Sequence, residues 1–396
     1  MPLQSNVNVS VRYAPETTFG TAASAAGGQR LRRVSSTLAL AKDAFTSNEV
    51  RSDQQVFDAR HGTRRVGGAL AGELSTQTFD DFLEAAMRGT WTAGVSGSNT
   101  QFTSLTVSGS AFQIGGGSWI TQGFKVGDVI RLSGFTHANV AKNFRITALT
   151  ATAATVTPQP AAMTSQATFS VSVQGKKLLN GTSIRSFTIE QNYPDIDISE
   201  LYTGCRVGEM AIQLPPSGIA TVNTTIVGQN GQNLASPSAP YFTNPVAETA
   251  TGVLAGVNGS LYVDGAASAV ITGLDFSINC NLSSTPVVGS NVVPDVFYGR
   301  TVITGNVSAY LESEALLNVF TDEEEIDIIA QIDAAGVAPA DFLCFRFHRV
   351  KFTGISKTVG PDGGVVASFP FQALLRTGGA GTVYDQSTAV IQRSNV

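Results

Sequence analysis

Two glycines six residues apart occur twice in this chain, each time with matching neighbours at matching spacings. Gly62 precedes Gly68 and Gly299 precedes Gly305, at an offset of 237 residues. Leu74 and Leu311 each follow the second glycine by six residues, and Phe79 and Leu316 follow it by eleven. Phe82 and Leu83 match Val319 and Phe320, and Asp58 and Asp295 each stand four residues before the first glycine. A fold for this chain must therefore build one supersecondary unit twice. The unit reads as a strand followed by a short helix. Leu70 and Leu74 share a strand face in the first copy, as do Val307, Ala309 and Leu311 in the second. Thr78 is the expected N-cap of the first helix, with Asp81 three residues on and Phe79, Phe82, Leu83 and Ala86 as the apolar stripe. Arg88 and Gly89 close it. Ser313 caps the second helix, whose stripe is Leu316, Val319 and Phe320.

The first copy also carries residues that look chemical. VRSDQQVFDARHGTRRVGGALAGELS, residues 50–75, holds two aspartates, a histidine and four arginines. The second copy matches His61 with Tyr298, Arg60 with Phe297 and Arg65 with Val302. What repeats is glycine and apolar residues, so the stretch reads as scaffold. TDEEEID, residues 321–327, packs its carboxylates more tightly than a calcium loop spaces its ligands, and reads as a solvated acidic connection. His61, His137 and His348 show no ligand-like spacing. Gly115, Gly116 and Gly117 lack a following lysine-bearing helix, and no nucleophile-elbow, Walker-type or zinc-protease motif occurs. Arg32–Arg33 and Arg64–Arg65 fit either acidic patches on a neighbouring subunit or isolated surface charge. No catalytic residue, cofactor site or metal site is expected, and the chain does not read as an enzyme.

Hydrophobic residues make up 42% of the 396 and charged residues 14%, enough to bury a large core. Forty glycines among abundant Thr, Ser and Val favour turns and short strands over long helices. The net charge of −5, without a basic run, argues against a tight grip on nucleic acid. Cys205, Cys280 and Cys344 are too few and too far apart for a disulfide framework, and read as buried free thiols. No apolar signal core and no stretch of about 18 apolar residues occurs, so a cytoplasmically made protein without membrane helices is expected.

Between the two copies the texture changes. WITQGFKVGDVIRLSGF, NFRITALTATAATVTP and ATFSVSVQ read as strands with their own core, including Trp119, Phe124, Ile130, Phe144 and Val156. Residues 92–172 are expected to be an inserted small β-barrel or sandwich, Ig-like, on the outer surface. Residues 1–91 and 173–396 then form one discontinuous β domain, with 1–35 as an extended N-terminal arm. GQNGQNLASPSAPYFTNP reads as a surface loop, and GPDGG at 360–364 as a hairpin turn.

Several stretches together resemble the tail tube proteins of long non-contractile bacteriophage tails. They are VRYAPETTFGT at 11–21, FDDFLEAAMRGTW at 79–91, SFTIEQNYPDIDISELYTGCRVGEMAIQLPPSG at 186–218 and VKFTGISKTVGPDGGVVASFPFQAL at 350–374. The resemblance implies a mainly β fold, a tail-tube-type β-sandwich or barrel with short flanking helices, to which the inserted β domain is an addition. It implies a structural virion protein whose six-subunit rings stack into a tube, assembled in the host cytoplasm, through which the genome passes. The implied partners are further copies of the chain, a tape measure protein in the lumen, and tail terminator and distal tail proteins at the ends. Double-stranded DNA passes without specific binding, and no membrane is involved. Glu73, Glu190 and Glu312 are candidate lumen carboxylates. Two other readings stand beside this one. They are a different virion β-protein (capsid decoration or minor tail protein) and a β-rich binding protein or carbohydrate-active enzyme.

Overall fold

The computed structural model describes residues 3–268, 270–335, 340–359, 362–378 and 381–394. The chain begins with β1 (Ser10–Pro15), β2 (Gln29–Arg30), β3 (Ser35–Ser36), β4 (Ala39–Thr46) and β5 (Ala59–Glu73), followed by α1 (Asp80–Met87). A short β6 (Thr92–Ala93) leads into a separate sheet. That sheet contains β7 (Ser96–Ser98), β8 (Ser104–Ser108), β9 (Ala111–Gly115), α2 (Trp119–Gln122), β10 (Val129–Ser133), β11 (Phe144–Leu149), β12 (Ala153–Thr157) and β13 (Ser170–Val173). The chain returns through β14 (Lys176–Leu179), β15 (Phe187–Tyr193), β16 (Ile198–Leu214), β17 (Thr221–Gly228) and β18 (Asn230–Ala235). The last part holds β19 (Gly259–Val263), β20 (Ala266–Ala267), β21 (Ile271–Asn279), β22 (Val302–Tyr310), α3 (Ala315–Thr321), β23 (Ile326–Asp333), β24 (Phe342–Phe352), β25 (Ser356–Thr358), β26 (Val366–Ala373) and β27 (Val390–Arg393).

The protein is mainly β, as expected, and almost all its pairing is antiparallel. Strand sequences alternate where one face is solvated. In β17 (TVNTTIVG) and β26 (VASFPFQA) every second residue is buried. The glycine-marked repeat is the visible part of a larger one. In the first unit the pairings are β2–β1, β1–β15, β15–β16, β16–β17, β17–β5 and β5–β4. In the second they are β20–β19, β19–β23, β23–β24, β24–β26, β26–β22 and β22–β21. The order is the same element for element. A bulge even recurs at the same place, between Phe187 and Ile189 on β15 and between Ile326 and Ile328 on β23.

The helices diverge. In α1, Phe82, Leu83, Ala85, Ala86 and Met87 are all buried, and Arg88 closes the helix in a left-handed conformation. Thr78 is not its cap. The helix starts at Asp80, and the Thr78 hydroxyl instead bonds those of Ser75 (2.6 Å) and Thr249 (2.5 Å). In α3 no residue is fully buried, and Leu311, expected on the core face, is 36% exposed. Glu314, not Ser313, holds the N-cap position of α3, and the Ser313 hydroxyl one residue earlier accepts from the Ala315 N–H at 3.3 Å.

The N-terminal stretch also departs from expectation. Residues 10–15 pair with β15, and Val11, Tyr13 and Leu31 belong to the main core. Residues 230–235, expected in a loop, form β18 against β16. Of the expected turn at 360–364, Gly360 and Pro361 lie outside the described residues. The flanking β25 and β26 pair as a hairpin. The three cysteines are free and buried.

The segment between β6 and β14 forms one seven-stranded antiparallel sheet, ordered β7-β13-β10-β11-β12-β9-β8. Its own core includes Phe102, Trp119 and Phe124, with Trp119 5.1 Å and 4.8 Å from the other two rings. Thr92 and Ala93 pair with Lys177 and Lys176 in the main sheet, so the chain leaves and re-enters on neighbouring strands. A third cluster, Val129, Tyr262, Ile329, Phe342 and Cys344, joins this sheet to the second unit.

Candidate assembly surfaces and a buried ion cluster

Among the described residues, β4 pairs only with β5, and β25 only with β26. Each leaves one edge with unmatched backbone N–H and C=O groups, which costs free energy unless water or another strand meets them. On β4, Phe45 is 63% exposed, and the loop at 47–58 presents Val50, Val56 and Phe57 to solvent. Leu316, Leu317 and Val319 of α3 are only partly covered.

A second feature is electrostatic. Asp128, from the inserted sheet, is wholly buried, and its Oδ1 lies 2.8 Å from both Lys177 Nζ and Arg346 Nη1. Asp385 adds an oxygen 2.6 Å from Lys177 Nζ. Gln392 holds both sides of the Val129 peptide, accepting from its N–H at 3.0 Å and donating to its carbonyl at 2.9 Å, and it also accepts from Arg346. Burial pushes the Asp128 carboxyl up, but Lys177 and Arg346 together hold it below its ordinary range. Burial likewise works against the Arg346 charge, and Asp128, Cys344 and Asp385 together outweigh it. Nearby, the buried Arg145 guanidinium stacks 2.9 Å from the centre of the Tyr262 ring. Such a cluster fixes one docking of the inserted sheet, because separating the charges while they stay buried is costly.

None of Asp128, Lys177, Arg346, Asp385 and Gln392 stood out in the sequence. The available signal was Arg346, a charge inside the apolar run FLCFRF; its partners lie elsewhere in the chain, so spacing could not pair them.

The candidates that did stand out are scattered. His61 is exposed on β5 opposite Ala44, and His137 Nδ1 accepts from the Asn139 N–H at 3.2 Å. His348 is buried with Nδ1 2.9 Å from Asp327 Oδ2. The acidic run is partly neutralised by β24. Glu325 takes a forked bond from Arg349 at 2.6 and 2.8 Å, and Glu323 lies 3.3 Å from Lys351. Arg349 holds the Glu325 carboxyl below its usual value. No metal-holding cluster of His, Cys, Asp or Glu exists among the described residues. Gly116 and Gly117 turn the chain with positive φ towards the four-residue α2.

Arg32 donates to the Thr249 and Thr251 carbonyls, Arg33 to that of Val9, and Arg65 pairs with Asp43 at 2.9 Å. These charges have partners inside the chain. Glu190, expected as a lumen carboxylate, is fully buried. It accepts from Ser199 Oγ (2.6 Å) and from the Tyr241 (2.6 Å) and Phe242 (3.2 Å) N–H groups, and it pairs with Arg12 at 3.5 Å. It ties the 236–245 loop to the sheet and cannot line a lumen. Glu73 and Glu312 are exposed.

No helix among the described residues is long and apolar enough to cross a membrane. No curated protein matches the chain. A family model described as phage tail tube protein matches residues 6–373, which takes in both repeated units and the inserted sheet. The chain belongs to the phage tail tube protein family.

Proposed function

We propose that this chain polymerises into stacked rings of six tail-tube units, forming the conduit through which the phage genome leaves. The family match over residues 6–373 carries the reading. Two of the strands with one free edge, β4 and β25, suit it, since a head-to-tail ring consumes sheet edges on closure. The net charge of −5 favours passage of DNA over retention, because a weakly acidic wall repels phosphate. The role is structural, without catalysis. The tape measure protein is the lumen partner during assembly in the host cytoplasm, with terminator and distal tail proteins at the two ends.

Contacts between rings fall to the loop at 47–58, whose exposed Val50, Val56 and Phe57 need cover, rather than to the N-terminal residues already built into the sheet. The inserted sheet stands on the outside of the tube. Negative-stain imaging of the purified protein tests the reading. Hollow tubes of uniform bore are expected; a monodisperse particle that never forms rings or tubes, at any concentration or with phage tail extract, would overturn it.

A further inference from the structure

The joint between the two repeated units is a strand pair that the chain has the parts to make again. Glu209–Leu214 of β16 runs antiparallel to Leu274–Asn279 of β21, with Ala211 opposite Ser277. The counterpart of this part of β16 in the second unit is β25. Ala211 faces Asn223, which faces Ala71; Ser356 faces Ser368, which faces Ser308; and Ala71 and Ser308 are 237 residues apart. The counterpart of β21 in the first unit is β4. Ser277 faces Thr304 and Ala39 faces Gly67, again 237 residues apart. Among the described residues both counterparts are unpaired on the side that the internal joint uses.

We propose that β25 of one copy pairs with β4 of the next, repeating the β16–β21 joint, so that a ring of six tail-tube units holds three chains. This deepens the tube reading and rests on it. The occupant of each free edge is a second copy of this chain. The internal register sets the external one: Ser356 opposite Ala39, and Ile355 opposite Leu40, two half-buried apolar residues. Strand addition of this kind supplies main-chain hydrogen bonds while alternate side chains fix register.

The helices support the same joint independently. α1 packs against β16 and β21, and Cys280, just past β21, donates its thiol to the Ala86 carbonyl at 3.3 Å. Its apolar face is fully buried. α3 occupies the matching place in the second unit, and among the described residues no β21-like strand lies beneath it. Its half-exposed Leu316, Leu317 and Val319 leave room for a strand placed as β21 lies against α1. The β4 strand of a following copy supplies that cover.

The inserted sheet gives a count that does not depend on strand pairing. It leaves the chain after α1 but has no equivalent after α3. Six units built from three chains carry three inserted sheets, so the ring has three-fold and not six-fold symmetry.

The test is a double variant, Ala39→Cys with Ser356→Cys. Both positions are exposed, and the three native cysteines are buried and silent. Assembled tubes are treated with an oxidant or a short bis-thiol linker and run under denaturing, non-reducing conditions. A ladder of one, two and three chains ending at three is expected, with no ladder from either single variant. End-on averages of wild-type tubes should show three outer lobes per ring. A ladder reaching six chains, six lobes, or well-formed tubes that do not cross-link would overturn the three-chain ring and leave the tube reading intact. Wild-type protein that forms no tube removes both.

Discussion

Gly68 and Gly305 mark the repeat, and the structure gives each a different reason to lack a side chain. Gly68 has φ of +144°, and a Cβ there would sit 2.4 Å from the Thr37 carbonyl oxygen. Gly305 would place a Cβ 2.4 Å from the Asp275 carbonyl oxygen and 2.5 Å from the Phe371 ring. Backbone cannot give way as a flexible side chain can. Gly68→Val and Gly305→Val should each cost upwards of about 2–3 kcal/mol, with His61→Ala within about 0.5 kcal/mol of wild type. Chemical denaturation of the three variants checks this; a histidine variant as damaged as the valine variants would return His61 to consideration as a functional residue.

Asp80 gives a pH signature. Burial raises its carboxyl to about 6, further than Arg393, 2.6 Å away, pulls it down. The folded state then keeps a proton that the unfolded chain releases near 3.8. This contribution is full below that value and fades as pH rises towards 6, by on the order of 2–3 kcal/mol. Asp80→Asn should flatten the fall in stability between about pH 4 and 6, and an unchanged slope would mean another group drives it.

At the scale of elements, the sequence made the strand–helix repeat legible because glycines and large apolar residues were kept at both copies. It did not reveal the equivalence of β15 with β23 or of β16 with β24, whose partners are set by pairing across long separations and not by local pattern. The same blindness made residues 1–35 look coreless. VRYAP is a short run with Val11 and Tyr13 as its apolar core residues, and Tyr13 packs on Phe82 and Phe187 from far along the chain, 4.7 and 6.0 Å from its ring. Glu190 misled in the opposite way. A carboxylate on a strand suggests solvent, yet four hydrogen-bonding groups from distant residues satisfy it in the interior.

Removing residues 2–30 therefore deletes β1 and β2 and, with Val11 and Tyr13, two core side chains, each worth about 1.5–3 kcal/mol of burial. The truncated protein should lose its cooperative melt or become insoluble. A truncation with wild-type melting and a defect only in assembly would restore the arm.

At the scale of the molecule, the inserted sheet is the part whose role the repeat does not dictate, and its attachment decides how that role can be tested. It joins the main sheet through adjacent strands, with the Gly94 N–H bonded to the Gly175 carbonyl at 3.1 Å, so a short linker can close the gap. It also covers Tyr262, Ile329 and Phe342 and brings the acid that neutralises Arg346 and Lys177. Asp128→Ala alone keeps both cations buried with only Asp385 beside them, and should cost about 3–5 kcal/mol. Replacing residues 94–174 by a Gly/Ser linker lets water reach those cations, but bares an apolar patch that invites aggregation. The informative variant combines the linker with Ile329→Thr and Phe342→Thr. A bore that must admit duplex DNA has no room for extra sheets, whereas the outer surface has no such limit. Tubes of that variant should keep their bore and lose outer diameter in negative stain. A widened bore, or wild-type density for the sheet in the lumen or between rings, would show that the inserted sheet is not an outer decoration.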